Sequence, residues 1–257
     1  MDLHGQTVLV TGANRGIGRA IVEALATREA HVLAGMRDPS DFEPVGSGSA
    51  REITPVRVDL ATRASIEESL AELGDRRVDV LVNNAGRFEG GLFEDGDVDV
   101  YYDLVQVNLG GLVHVTQRLL RPMLRRGHGK VVNNASIAGY AHFPGAAVYS
   151  ATKAAVVGFS EALRRELGES PVSVLQVVTP GVETEMLEQV RRDYEEHVED
   201  TSKLDGVDPE EWAGKIVEAI ESDDELLNPG GAERLAKLAS RGPAALLDSV
   251  LGRAFDR

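Results

Sequence analysis

Val8-Leu9-Val10-Thr11-Gly12-Ala13-Asn14-Arg15-Gly16-Ile17-Gly18-Arg19-Ala20 reads as a short apolar strand that breaks into a glycine-rich turn and restarts at once with helical spacing. Glycines allow a tight turn and a close approach of the backbone to a ligand. The free amides at the start of the following helix, at the positive end of its dipole, attract an anion. Such a turn alone is weak evidence. A strand before it and a helix after it give the context of a dinucleotide-binding loop.

Outward from this stretch, short β-branched runs at Thr7–Val10, His31–Ala34, Pro55–Val58, Val78–Val82, Lys130–Val132 and Ser173–Val178 predict strands. Gly16–Arg28, Arg63–Leu73, Val98–Arg126 and Val148–Leu167 carry apolar residues at helical spacing. Connections of this length require parallel strands with crossover helices. The pattern predicts an α/β fold, a Rossmann-type doubly wound parallel sheet flanked by helices, as one domain over residues 1–257. In such sheets ligands bind beyond the carboxyl ends of the strands. Asp41–Ala50 reads as a surface loop. An acidic stretch over 185–211 is expected to cover the substrate as a lid, with most of its charges in solvent. It gives way to a helix containing Trp212. Glu225–Asn228 can add an edge strand, and 232–257 is expected to form a helical extension.

Composition narrows the chemistry. The chain has 257 residues, 42% of them hydrophobic, enough for a full core. It has no cysteine, which excludes disulfides, thiolate metal sites and cysteine nucleophiles and fits a reducing, cytoplasmic setting. The formal net charge of -15 argues against nucleic acid as a partner. There is no export-signal pattern and no run of roughly 18 to 20 apolar residues, so no integral membrane segment is expected. Histidines at 4, 31, 114, 128, 142 and 197 show no metal-ligand spacing, so no metal is expected.

Two readings follow from residue chemistry. The second strand leads into Met36-Arg37, about twenty residues beyond the glycine loop, where an adenosine ribose lies and where an acid would hold its 2′-hydroxyl. No carboxylate stands there, and the Arg37 guanidinium can grip a 2′-phosphate, so NADP(H) is favoured over NAD(H). Arg15 offers a second basic contact. Further on, Tyr149-Ser-Ala-Thr-Lys153 sets a phenol and an ammonium on one helix face. A free tyrosine titrates near 10, and a neighbouring cation is expected to lower Tyr149 into working range.

The glycine loop, Thr-Gly followed by three residues and Gly-x-Gly, resembles that of the classical short-chain dehydrogenases, and the other motifs continue the resemblance to about residue 184. It implies that Gly12, Asn14, Arg15, Gly16, Ile17 and Gly18 hold the cofactor phosphates. Asp59 with Leu60 would hold the adenine, and Asn84, Ala85 and Gly86 of the Asn-Asn-Ala-Gly element the adenosine side. Ser136 would bind the substrate oxygen. Tyr149 would act as general acid/base, and Lys153 would bind the nicotinamide ribose. Asn108 would interrupt its helix and hold a water near the lysine. Pro180, Gly181 and Thr184 would hold the carboxamide. Thr184 follows Pro180 by four residues where the family has five, so either the loop is shorter or Glu185 takes the place. Tyr140, between Ser136 and Tyr149, is a candidate pocket residue.

The resemblance implies a carbonyl reductase or alcohol dehydrogenase acting on a small-molecule carbonyl or alcohol, as a homodimer or homotetramer. Alternatives are an oxidative hydroxysteroid-type or sugar-alcohol dehydrogenase, and a non-catalytic NADP(H)-sensing protein. The last seventy or so residues lack the closing strand and Asp-Gly-Gly ending common among the family's acyl-carrier-protein reductases, which counts against that specific assignment.

Overall fold

Alternation along the first strand sets up the layers. In β1 (Thr7–Thr11), Val8 and Val10 join one apolar cluster and Leu9 joins another, because successive side chains leave opposite faces of a strand. The computed structural model describes residues 1–44, 52–201 and 204–230. Within them β1, β2 (His31–Met36), β3 (Glu52–Arg57), β4 (Val80–Asn83), β5 (Gly129–Asn134), β6 (Val172–Val177) and β7 (Leu226–Leu227) form one parallel sheet. Its order is β3-β2-β1-β4-β5-β6-β7. The winding reverses between β1 and β4, which makes that crevice the ligand position of a doubly wound sheet.

On one face, Ile21, Val22 and Leu25 of α1 (Gly16–Ala26) pack with Trp212, Ile216 and Ile220 of α8 (Pro209–Glu221) over Val8, Val10 and Val32. On the other, Ile66 and Leu73 of α2 (Arg63–Leu73) pack with Val115 and Met123 of α4 (Leu112–Arg126) over Leu9, Leu33, Leu81 and Val131. The remaining helices are α3 (Val98–Val105), α5 (Ala138–Ala141), α6 (Ala147–Leu167) and α7 (Glu185–Asp193). α3 carries exposed Val98, Tyr102 and Val105.

The strand and helix readings hold with three differences. The helix expected over Val98–Arg126 is two helices, α3 and α4, joined by a π turn over Gln106–Gly111. β3 starts at Glu52 and runs through Pro55. Proline has no amide to donate to a ladder, and β3 tolerates it because it is an edge strand. The edge strand expected at Glu225–Asn228 is there as the two-residue β7 beside β6, and it supplies the closing strand expected to be lacking. Part of the Asp41–Ala50 loop and the whole of 232–257 lie outside the described residues. Among the described residues no helix is long and apolar enough to cross a membrane, and no cluster of acids and histidines can hold a metal ion.

Candidate active site

The glycine loop is built by backbone contact. Gly12 and Gly16 have φ of +66° and +54°, in the left-handed region that glycine enters without penalty. A Cβ on Gly12 would stand 2.8 Å from Ala85 Cα, and one on Gly18 would stand 2.0 Å from the Gly12 carbonyl oxygen. Thr11 Oγ1 accepts the amides of Asn84 and Ala85, each at 3.0 Å, and Asn84 Nδ2 donates to the carbonyls of Thr11 and Gly12 at 3.2 and 3.4 Å. The loop after β1 and the turn after β4 are therefore one unit. Arg15, at the N-cap of α1, supplies no capping acceptor, and the first turn contains no acid. The amides of that turn meet no side-chain anion, which fits a pyrophosphate.

Gly86 continues the cradle toward the reacting groups. A Cβ there would come within 3.4 Å of Asn108 Oδ1 and 3.8 Å of Lys153 Nζ. Asn108 lies in the π turn, 1% exposed. Its amide donates to the Arg87 carbonyl at 2.9 Å and to Thr152 Oγ1 at 3.2 Å, while Oδ1 accepts the Arg87 amide at 2.8 Å. The widened turn thus clamps the chain after Gly86 to α6. Lys153 is 6% exposed and donates one hydrogen bond, to the Asn134 carbonyl at 3.0 Å. An ammonium has three donors. The remaining two suit the ribose hydroxyls of a bound nicotinamide nucleotide.

Ser136 follows β5 and accepts the Ala138 amide at 3.1 Å. Tyr149 stands in the first turn of α6, its ring edge-on to Phe88 at 5.0 Å and its hydroxyl close to Ser136. Burial pushes the Tyr149 phenol above its usual value, and Ser136 pulls the other way. Burial pushes the Lys153 ammonium down to about 8. This corrects the expectation that Lys153 lowers Tyr149. The ammonium is 5.8 Å from the centre of the tyrosine ring and bonded elsewhere, so desolvation wins.

The other expected residues divide. Arg37 is exposed after β2 with no ion-pair partner among the described residues, and Asp38 is committed to the amide and hydroxyl of Ser40. Asp59 accepts the Ala61 amide at 3.0 Å and lies 3.8 Å from Arg57, and Leu60 is buried against the π turn through Gly111. Asn14 is exposed in the glycine loop, and Ile17 packs on the core. Arg15 departs from expectation, being ion-paired with Glu185 at the start of α7. Pro180 is buried, and the Gly181 carbonyl accepts the Val207 amide at 2.9 Å. The Thr184 methyl would come within 3.3 Å of a Cβ on Gly16, so Thr184 folds onto the glycine loop, and Glu185 turns outward to Arg15. Tyr140 is not in the pocket: it is buried with Leu112 and Val156 and bonded to Gln176.

α7 covers the tyrosine. Met186, Val190 and Tyr194 pack with Phe88, Phe143, Ala146 and Tyr149. Gln189 donates to the Phe88 carbonyl at 3.2 Å, and Tyr194 donates to the Pro144 carbonyl at 2.5 Å. Glu185, Glu188, Glu195, Glu196 and Glu199 are exposed. Two neighbours of this site escape sequence reading, Asn134 and Thr179. The paired asparagines Asn83-Asn84 and Asn133-Asn134, ending adjacent strands, are a signal that could have found Asn134, and Thr179 has none.

The profile of the short chain dehydrogenase family matches residues 6–195. The 3-oxoacyl-acyl-carrier-protein reductase FabG of Escherichia coli is 35% identical over 191 residues, 72% of this chain and 77% of that protein. A short-chain dehydrogenase of Streptomyces avermitilis superposes with a TM-score of 0.79 at 30% identity, covering 97% of this chain and 95% of its own. One from Burkholderia cenocepacia, solved in complex with NADP, gives 0.82 at 25% identity and covers 98% and 99%.

Proposed function

The chain belongs to the short-chain dehydrogenase family of NAD(P)-dependent oxidoreductases acting on carbonyl and hydroxyl groups. From that premise we propose that it reduces an uncharged, apolar ketone or aldehyde with NADPH, with Tyr149 as the proton donor. The observation that carries this reading is a tyrosine whose phenol is pushed up by burial, close to Ser136 and packed among apolar side chains. NADPH, when bound, supplies the hydride to the carbonyl carbon. Ser136 and Tyr149 both hydrogen bond the carbonyl oxygen, and Tyr149 gives it the proton that completes the alcohol. The Lys153 ammonium stabilises the phenolate left behind. Asn108 keeps Arg87 and Thr152 in place around the lysine. Segment 185–211 acts as the cover that excludes water.

The substrate reading rests on the enclosure. Phe88, Phe143, Met186 and Val190 pack around Tyr149, and the outer side of the cover is acidic. An acyl chain or ring replaces those contacts on entry, whereas an anion meets like charge. The relatives' acyl-carrier-protein substrates are therefore a less suitable assignment here than a free ketone.

A pH dependence follows. Tyr149 lies above its usual range, so Lys153, at about 8, is the first of the two to lose its proton as pH rises. Reductive kcat/KM, which reports the free enzyme, is expected to be flat across neutral pH and to fall with an apparent pKa near 8. A profile flat to pH 10 contradicts this. Oxidation needs the phenolate, and Tyr149 holds its proton above the usual range, so the oxidative rate is expected to rise only at higher pH than the fall of reduction.

Preference for NADPH rests on Arg37, supported by the NADP complex of the Burkholderia relative. A charge-assisted hydrogen bond contributes about 1.5–3 kcal/mol, or roughly a ten- to hundredfold difference in affinity. Arg37→Asp is expected to weaken NADPH binding by that factor and to improve NADH. Tighter binding of NADH than NADPH by the native protein overturns the assignment.

A further inference from the structure

Asn134, the last residue of β5, is 7% exposed and belongs to a hydrogen-bond string with one direction. The Trp212 indole of α8 can only donate, and it donates to Thr179 Oγ1 at 3.1 Å. The Thr179 hydroxyl therefore gives its own proton onward, to Asn134 Oδ1. That orients the Asn134 amide, whose Nδ2 donates to Asn84 Oδ1 at 2.9 Å. Asn84 Nδ2 ends the string on the carbonyls of Thr11 and Gly12, which can only accept. Donor-only and acceptor-only ends agree on one orientation for every amide between them. Such a string is polarised along its length and resists displacement. At its centre, the Asn134 backbone carbonyl accepts the hydrogen bond that Lys153 makes among the described residues.

We propose that Asn134 is a positioning residue for the reaction, holding the Lys153 ammonium through its carbonyl and the glycine loop through its side chain. The proposal rests on the reductase reading for its kinetic consequence. A residue at the end of a central strand thereby keeps the proton-handling lysine and the phosphate-binding loop in a constant relation. Asn134→Leu removes both side-chain bonds and frees the carbonyl to shift. Thr179→Val cuts the string only on the α8 side.

The chain has a single tryptophan, Trp212, so its fluorescence reports the string directly, and its quenching on NADPH addition measures affinity without turnover. Both variants are expected to shift Trp212 emission. Asn134→Leu is expected to weaken NADPH binding about tenfold and to move the alkaline limb of reductive kcat/KM to lower pH, because the ammonium loses an acceptor that favours its charged form. Thr179→Val is expected to stay within threefold in affinity and to keep the native limb. Native affinity and a native limb in folded Asn134→Leu overturn the proposal. So do equal losses in the two variants, which mark a general loss of packing. If Asn134→Leu does not fold, Asn134→Ser, smaller and polar, takes its place under the same criteria. A native protein that binds NADPH but reduces no carbonyl overturns the reductase reading instead, and the quenching titration still tests the link from Asn134 to the glycine loop.

Discussion

Tyr149→Phe is expected to lower reductive turnover by about a thousandfold, within the range general acid catalysis contributes, while NADPH affinity stays within twofold. The substitution deletes one hydroxyl. The ring keeps its edge-on contact with Phe88 and its place among Ala146, Met186 and Tyr194, so folding is preserved. Ser136 remains to bind the carbonyl oxygen, yet among the described residues no acid is placed to resupply a proton it donates. The nearest ammonium, Lys153, is directed to the Asn134 carbonyl. The assay follows NADPH oxidation with a panel of uncharged ketones, and binding is read separately by fluorescence. A variant as fast as the native enzyme ends the proposed mechanism. It would leave the fold and the nucleotide site untouched.

Gly18→Ala carries the second large effect. Its Cβ would lie 2.0 Å from the Gly12 carbonyl oxygen and 2.6 Å from Asn84 Nδ2. A Cβ has no rotamer, so backbone must move. The loop cannot retreat, because Gly12 already abuts the Ala85 backbone on its other side. Overpacking of this kind costs about 1–3 kcal/mol. NADPH affinity is expected to fall about a hundredfold, equivalent to ~2.7 kcal/mol, since the amides that face the pyrophosphate are carried by the displaced turn. Gly158→Ala on α6 is the control. A Cβ there meets nothing within 4 Å, and alanine in a helix interior adds up to about 1 kcal/mol of stability. Thermal unfolding and NADPH titration on the two variants separate them, and native affinity in Gly18→Ala would refute this account of the loop.

The parts of the fold that sequence reading predicted share a property. Parallel strands buried on both faces leave near-continuous β-branched runs, and glycines punctuate the turns between strand and helix, so both signals sit within a few neighbouring residues. The positions of the glycine loop after β1 and of Ser136 after β5, and of Tyr149 and Lys153 on the following helix, follow from that local grammar. The strand expected from Pro55 starts three residues earlier, at Glu52, because an edge strand tolerates proline inside its ladder. Tyr140 was read as a pocket residue because it lies between Ser136 and Tyr149 in sequence, whereas α5 turns it into the core toward Gln176.

Charge behaviour was harder still. Spacing placed Lys153 beside Tyr149 and suggested a lowered phenol, but the sign depends on burial and on what else the ammonium bonds, and both are properties of the assembled site. Thr184 shows the same division. Counting from Pro180 leaves two candidates, and only the fold shows that Thr184 lies against Gly16 while Glu185 turns to Arg15.

The amino-acid sequence by itself determined the doubly wound sheet, the nucleotide loop and the identities of the groups that meet at its edge, because each is written in short-range spacing. The helix interruption at Asn108 was implied by the resemblance, but tertiary structure alone decided its partners Arg87 and Thr152, the string from Trp212 through Asn134 to Gly12, and the direction in which burial moves Tyr149. Those depend on hydrogen bonds and desolvation between residues distant along the chain, which no local pattern encodes.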